Sequence, residues 1–283
     1  MNVTVLRESW QPHPLAWIHR SEARLFAEEL RRAGYAVRLA QLRDGSVSDL
    51  PTGLLVLRLS DPVMLTAVQT LARAGLSFLG PSAAVMERCY DKYAAYRIAT
   101  AHAVDCPATA LASESSMTSI PMVLKPRRGS DSIGVRLLKD GRIPAYARTD
   151  RYITQQYVHG VELTVAVFSD RAGMPLRIFL PEATPYSFFR KYLRPAPRAP
   201  LADIALAERV QRTALEIART FEIDWAARID LIHEVETDRL RFLECDVAPI
   251  VGANSAFAAS FQAAGIARTE QLRMLLSRRC GSC

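Results

Sequence analysis

A mixed α/β fold is what these 283 residues predict, on three observations. Short apolar strands alternate with amphipathic helices through residues 1–82, which implies a small parallel α/β layer. From Pro107 onward the pattern changes to strands and hairpins, which implies further α+β modules. Hydrophobic residues make up 49% and charged residues 23%, enough to bury a core, and no apolar run approaches the roughly 20 residues of a membrane span. The division expected from these patterns is 1–82, 83–165 and 166–283.

The elements follow in order. Met1 to Glu8 reads as a strand, with Val3–Leu6 at its centre, rather than as a leader, and a cytoplasmic protein with no membrane partner is expected. Ser21 opens an amphipathic helix through Arg32 that stops at Gly34, and Ala36–Ala40 is the next strand. Leu54–Leu59 is a buried strand, Pro62–Ala74 a helix ended by Gly75, and Leu76–Leu79 a strand. Pro81 and Ser82 start a helix that runs to about Ala103. Met122–Lys125 and Val135–Leu138 flank a loop, and Asp140-Gly141 marks a turn. Arg151–Tyr157 and Glu162–Phe168 are strands. After the proline- and aromatic-rich stretch Ala183–Pro200 come a helix, Leu201–Phe221, and a hairpin, Ala227–Val247.

The net charge of +7 and pI near 9.4 permit a nucleic-acid partner, but the basic residues are spread along the chain, and an anionic small molecule explains the charge as well. Lysine is nearly absent: Lys92, Lys125, Lys139 and Lys191 stand against thirty-two arginines. A retained lysine suits a compact ammonium placed against a phosphate, although spared codons would leave the same count. Cys89, Cys106 and Cys245 read as small core hydrophobes. Cys280 and Cys283 form a C-x-x-C with no second pair to complete a zinc site, and a frayed tail is preferred to a redox or metal role.

Two constellations carry chemistry. In the hairpin of Arg228-Ile229-Asp230-Leu231-Ile232 and Leu240-Arg241-Phe242-Leu243-Glu244-Cys245-Asp246, a three-residue turn at Glu236–Asp238 pairs Val235 with Arg239. Asp230 then lies opposite Glu244, and Arg228 opposite Asp246, all on one face. Ile229, Leu231, Leu243 and Cys245 fall on the other face, and Phe242 on the charged one. Two like charges about 4 Å apart cost roughly 4 kcal/mol at an effective dielectric near 20. Three carboxylates on one face therefore call for cations, and oxygen ligands alone suit Mg²⁺ or Mn²⁺. A solvated face with Arg228 pairing Asp246 is the plainer alternative.

The second constellation is Lys125-Pro126-Arg127-Arg128-Gly129-Ser130-Asp131-Ser132-Ile133-Gly134, between two strands. Small residues let backbone N–H groups turn inward around an anion, although a basic hairpin turn has the same composition.

These two segments, in this order, resemble the ATP-grasp superfamily and specifically its D-alanine–D-alanine ligase branch, from about Gly80 to Ile266. The resemblance implies an N-terminal α/β domain followed by two α+β subdomains that sandwich ATP. It places Lys92 and Lys125 on the nucleotide, with Ser130, Asp131 and Ser132 in the phosphate loop. Gln155-Gln156-Tyr157-Val158 is similar to the hinge strand that packs on adenine, and Glu162 to the acid on the ribose. Arg190-Lys191-Tyr192 resembles a lysine–tyrosine pair over the active site, Lys191 reaching the terminal phosphate and Tyr192 the substrate. Asp230, Glu244 and Asp246 fall on the positions that hold two Mg²⁺ ions, and Arg228 on the arginine that steadies the oxyanion. Gly252, Asn254 and Ser255 lie in the segment that holds the acceptor carboxylate.

What the resemblance implies is an ATP-dependent carboxylate–amine ligase acting on a small amino acid through an acyl phosphate, with no nucleic-acid partner and as a homodimer. Departures bear on the substrate. The family's glycine-rich N-terminal segment, with the glutamate that grips the first amine, has no match, although Glu8 lies nearby. Asp131 replaces a serine, Gln155 an acid, Ile250 a glycine and Asp246 an asparagine. A specialised ligase, such as the ring-closing D-cycloserine-forming type used in antibiotic biosynthesis, is therefore an alternative. Leu57-Arg58-Leu59 and Gly80-Pro81-Ser82 are similar to the glutamate-adding ligases. Arg58 and Arg7 contact substrate or cap strands, the second being preferred. The rivals outside this class are an inactive ATP-grasp module and a nucleic-acid-binding protein.

Overall fold

The computed structural model describes residues 2–9, 16–42, 53–115, 120–129, 132–180 and 196–277. The N-terminal layer is built from β1 (Asn2–Glu8), α1 (Ala16–Arg32), β2 (Ala36–Leu42), β3 (Leu54–Arg58), α2 (Asp61–Arg73) and β4 (Phe78–Leu79). Its strands form a parallel sheet in the order β2-β1-β3-β4. Ala23, Phe26, Ala27 and Leu30 of α1 are fully buried. Their i, i+3, i+4, i+7 spacing is the apolar stripe of a helix packed on one face.

Next come α3 (Ala83–Tyr90) and α4 (Lys92–Ala101), then β5 (Thr109–Leu111), β6 (Met122–Pro126), β7 (Arg136–Leu138) and β8 (Tyr152–Gln156). These strands make an antiparallel sheet ordered β5-β8-β6-β7 over a small core of Ala112, Met122, Leu124, Leu138 and Ala147. A third sheet contains β9 (Val161–Phe168), β10 (Arg171–Ala172), β11 (Leu176–Ile178), β12 (Arg198–Pro200), β13 (Ala226–Glu234) and β14 (Arg239–Asp246). Its path is β12-β11-β9-β13-β14, with β10 on β9. The change of sheet falls between Gln156 and Val161, ahead of residue 165.

Alternation along β9 and β13 divides the third sheet into two uses. Leu163, Val165, Val167, Ile229 and Leu231 face a core shared with α5 (Ile204–Thr220), which buries Ala207, Val210, Ala214 and Ile217. On the other face Ala166, Phe168 and Ala226 pack on Phe257 and Phe261 of α6 (Ala256–Ala263) and Leu272 and Leu275 of α7 (Arg268–Leu275). The same face carries Glu162, Thr164, Arg228 and Asp230. No helix among the described residues is long and apolar enough to cross a membrane.

Several elements differ from the sequence expectation. The first helix begins at Ala16, so Ser21 lies inside it rather than at its start. The helix expected from Ser82 to Ala103 is two, broken at Asp91, whose extended backbone (φ −90°, ψ 101°) caps the second. Ser82 does cap the first, accepting from the Val85 N–H at 3.3 Å. The hairpin turn is four residues long, because Glu234 rather than Val235 pairs with Arg239. The Cys280 and Cys283 tail lies outside the described residues.

Arg58 caps no strand end and instead ties β3 to α1 and to the segment after β14. It is 2% exposed and donates from Nε and Nη2 to the two carboxylate oxygens of Glu22, each at 3.0 Å. Its Nη2 also donates to the Pro249 carbonyl, and the Phe26 ring lies 5.9 Å from the guanidinium. Breaking such a buried pair strands the other charge. Arg58→Met is expected to lower stability by about 3–5 kcal/mol in urea unfolding, and adding Glu22→Leu to restore part of the loss.

Candidate active site

Two clefts meet on the charged face of the third sheet. The first lies between the second and third sheets, with a volume of about 910 Å³ that includes open solvent. Alternation along β6 decides its wall: Met122 and Leu124 enter the small core, while Val123 and Lys125 point into the cleft. Lys125 Nζ donates to Gln155 Oε1 at 2.7 Å, and Gln155 Nε2 donates to Thr109 Oγ1 at 3.0 Å. Gln155 therefore orients the lysine. Gln156, Tyr157, Val158 and Glu162 continue the lining, with Ile232 and Leu243 as its apolar side. The Tyr157 N–H donates to the Pro121 carbonyl at 3.4 Å, and its ring meets His159 edge-on at 4.8 Å. A Cβ at Gly160 would stand 2.3 Å from the His233 carbonyl, so only glycine lets this connection cross β13 so closely.

Lys92 reaches the same cleft from α4. Asp91 Oδ1 accepts the Tyr93 and Ala94 N–H groups at 3.1 Å, and the carboxylate pairs with Arg127 at 2.8 Å and Arg128 at 3.3 Å. The Lys92 N–H donates to the Arg127 carbonyl at 2.9 Å, and its ammonium to the Gly129 carbonyl. A helix start is thus tied to the loop between β6 and β7. In that loop Gly129, Ser132 and Gly134 have φ of 135°, 59° and 76°. A Cβ at Gly134 would come within 2.8 Å of the Pro126 ring. Residues with positive φ are a recurring ingredient of the concavities in which backbone N–H groups bind anions. Gly129 and Ser132 line the cleft, while Ser130 and Asp131 lie outside the described residues.

The hairpin register at the carboxylates is as expected: Arg228 opposes Asp246 and Asp230 opposes Glu244. It is reached differently. The register shifts after Asp230, leaving Leu243 as an extra residue in β14. Phe242 and Leu243 consequently exchange the faces expected of them. Phe242 is buried opposite Leu231, its ring 5.5 Å from Phe221, and Leu243 lines the cleft.

Arg228 stands between two of the carboxylates. It bonds Asp230 at 3.1 and 3.2 Å and lies 3.4 Å from Asp246 Oδ2. Thr164 Oγ1 donates to Asp230 Oδ1 at 2.6 Å, and Asp246 Oδ1 accepts the Ala248 N–H at 3.2 Å. Glu244 faces Lys92 at 3.8 Å. Among the described residues no three such side chains close around one point as a ready metal cage. The donor set nonetheless fits a hard cation of the Mg²⁺ kind, which takes one or two carboxylates and fills its remaining positions with phosphate and water. Between Glu244 and Asp246, Cys245 is buried, and burial together with a hydrogen bond to Cys89 pushes its thiol well up. Burial pushes the Cys106 thiol up to about 12, so both are inert.

The second cleft is larger, about 2300 Å³ with open solvent, and lies between α1, β12, the hairpin and the segment before α6. Arg228, Asp246, Gly252, Asn254 and Ser255 line it, and Asp230 and Ile178 line both clefts. Ser255 caps α6, its Oγ accepting the Ala258 N–H at 3.0 Å. Trp17, Glu22, Glu29, Asp61 and Arg198 also line this cleft, and none was selected from sequence. Lys191 and Tyr192 lie outside the described residues.

A family model described as an ATP-grasp domain matches residues 89–179. The chain is 34% identical over 138 residues to a D-alanine–D-alanine ligase of Acidiphilium cryptum, covering 46% of this chain and 45% of that one. It is 29% identical over 222 residues to a D-alanine–D-alanine ligase of Thermotoga petrophila, covering 71% of each. The structure superposes on the D-alanine–D-alanine ligase of Bacillus anthracis complexed with ATP with a TM-score of 0.80 at 19% identity, over 98% of this chain and 96% of that one. The fold is the ATP-grasp fold.

Asp91 gives the site an acid dependence. Burial raises its carboxyl, but the Arg127 hydrogen bond, the Ala94 N–H and the charges of Arg127 and Arg128 outweigh burial and hold it below its ordinary 3.8. A depressed carboxyl contributes stability that is complete above the ordinary value and lost as pH falls through the lower folded one. Asp91→Asn is expected to be less stable than wild type by about 1–3 kcal/mol at neutral pH, the gap closing below about pH 4 in urea unfolding. A gap independent of pH would show that the charge is not its source.

Proposed function

We propose that this chain, an ATP-grasp protein like the D-alanine–D-alanine ligases, joins a carboxylate to an amine on a small amino-acid substrate at the expense of ATP. The observation that carries the reading is the meeting of the two clefts at Asp230, with lysines on one side and Arg228 on the other. A nucleotide in the first cleft would point its terminal phosphate at a substrate carboxylate in the second.

The substrate carboxylate oxygen attacks the terminal phosphorus, the bond to ADP breaks, and an acyl phosphate results. The amine nitrogen then attacks the acyl carbon, and the tetrahedral adduct expels phosphate and loses a proton to give the amide. Little covalent chemistry falls to the protein, which supplies position and charge.

Lys92 and Lys125 are assigned to the phosphates, together with the N–H groups of the loop containing Ser130, Asp131 and Ser132. Gln155 aims Lys125. Glu162 takes the ribose hydroxyls, and Gln156, Tyr157 and Val158 border the base. Because the Tyr157 N–H is used by Pro121, a base contact from that residue comes through its carbonyl. Asp230, Glu244 and Asp246 would hold Mg²⁺ or Mn²⁺, which when bound with ATP neutralises phosphate charge. Arg228, fixed between Asp230 and Asp246, steadies the oxyanion. Gly252, Asn254 and Ser255 hold the acceptor carboxylate, Ser255 keeping its O–H proton to donate while its oxygen caps α6. Lys191 and Tyr192 are assigned by resemblance to the terminal phosphate and to the substrate.

ADP release measured across D- and L-amino acids and O-substituted serine analogues tests this. Lys125→Ala and Glu244→Ala are each expected to lower kcat/KM by about 10²–10³. ADP release that no amino acid stimulates would overturn the ligase reading, and wild-type turnover by Glu244→Ala would overturn the metal assignment.

A further inference from the structure

The segment from Pro249 to Ser255 belongs to no strand or helix, so no ladder meets its backbone groups. Charged side chains from four elements meet them instead. Glu22 Oε1 accepts the Val251 N–H at 3.2 Å, and Glu29 Oε1 accepts the Ala253 N–H at 2.9 Å. Arg58 donates to the Pro249 carbonyl, Arg268 to the Val251 carbonyl at 2.8 Å, and Arg198 to the Asn254 carbonyl. Bonds to ionised groups are roughly twice as strong as neutral ones. Five of them on seven residues fix an irregular segment that water would otherwise loosen.

Glu22 and Glu29 are seven residues apart on α1, two helical turns, and so share a face. Their surroundings differ. Glu22 is spent on the buried Arg58, whereas Glu29 pairs with Arg268 Nε at 2.8 Å, and Arg268 turns back to the Val251 carbonyl. The Ala253 N–H, Glu29, Arg268 and the Val251 C=O thus close a ring. Two residues beyond Ala253 begins the N-terminus of α6, whose N–H groups suit a carboxylate.

We propose that Glu22 and Glu29, Glu29 above all, are positioning residues that set the acceptor-carboxylate end of the second cleft by holding the backbone at Val251 and Ala253. The proposal rests on the ligase reading and adds to it a reason why α1 borders the substrate: its carboxylates touch the segment rather than the amino acid. Misplacing a binding group by 1 Å can cost on the order of 10²-fold.

The test combines steady-state kinetics on the best amino acid of the panel with hydrogen exchange of the full chain. Glu29→Ala is expected to raise the amino-acid KM by about tenfold or more, to leave the ATP KM within about twofold, and to speed exchange across residues 250–256 by about tenfold without changing it in β6. Glu29→Gln keeps an oxygen for the Ala253 N–H and is expected to lie between, near threefold in KM, which keeps the test available if the alanine variant does not fold. An amino-acid KM unchanged in both variants overturns the proposal. So does an equal loss in both substrates with exchange raised throughout, the signature of general destabilisation. A wild type that turns over no amino acid ends the ligase reading instead, and exchange then decides the clamp: a rise confined to 250–256 upholds it, and a uniform rise or none ends it.

Discussion

One extra residue in β14 is the constraint on which the site depends. The hairpin leaves its turn with Glu234 opposite Arg239. If that register ran on unbroken, Asp230 would oppose Leu243, and Glu244 and Asp246 would face the apolar core with Ile229 and Ala227. Strand side chains alternate with period two, so a slip of one residue moves an entire set across the sheet. The bulge at Leu243 supplies that slip within the strand. It keeps Phe242 in the core while returning both carboxylates to the face that carries Asp230. Core packing and site chemistry are thereby satisfied by one strand with two registers.

Gathering carboxylates on a face raises the question of what keeps them from repelling one another. At an effective dielectric near 20, two unit charges about 4 Å apart interact by roughly 4 kcal/mol. The structure answers with fixed cations of two kinds. Arg228 lies between Asp230 and Asp246, its fork matched to both, and cannot lose its proton. Lys92 stands 3.8 Å from Glu244 and is anchored on the Gly129 carbonyl. An arginine bridge at the centre and a lysine at the edge set up a gradient, with compact ammonium groups toward the first cleft and the planar guanidinium toward the second. That order suits phosphate on one side and a developing oxyanion on the other.

Much of this was legible in the sequence because it rests on local pattern. Period-two alternation placed Arg228, Asp230, Glu244 and Asp246 on one face, and three of the four lysines marked segments, two of which the fold brings to one cleft. What escaped notice depends on partners distant in the chain. Nothing local says that Glu22 is buried, because its burial is stabilised by Arg58, thirty-six residues away. Asp91 is a strong helix-starting residue, yet it lies inside a stretch whose helical periodicity continues on both sides, and the bonds that fix the break reach it from the distant Arg127 and Arg128 as well as from its own cap. The bulge was hidden because a three-residue turn without a bulge and a four-residue turn with one give the same pairing at the carboxylates. Phe242, too large and apolar for a wet face, was the residue that could have told them apart.

The positions at which the chain departs from the ligases it resembles acquire physical meaning once placed. Gln155 stands where an acid is usual, and it bonds Lys125 through a neutral amide oxygen anchored on Thr109. That bond aims the ammonium without setting a negative charge beside it. Ile250 replaces a glycine in the segment whose neighbours are held by Glu22, Glu29 and Arg268 rather than by a regular element. A branched side chain there restricts the backbone that a glycine would leave mobile. Side-chain clamps and a stiffer residue act in the same direction, toward a fixed backbone at that end of the second cleft. The first cleft thus has its ammonium groups aimed by neutral oxygens, whereas the far end of the second is fixed from α1, so that changes to α1 act on the second cleft and leave the first untouched.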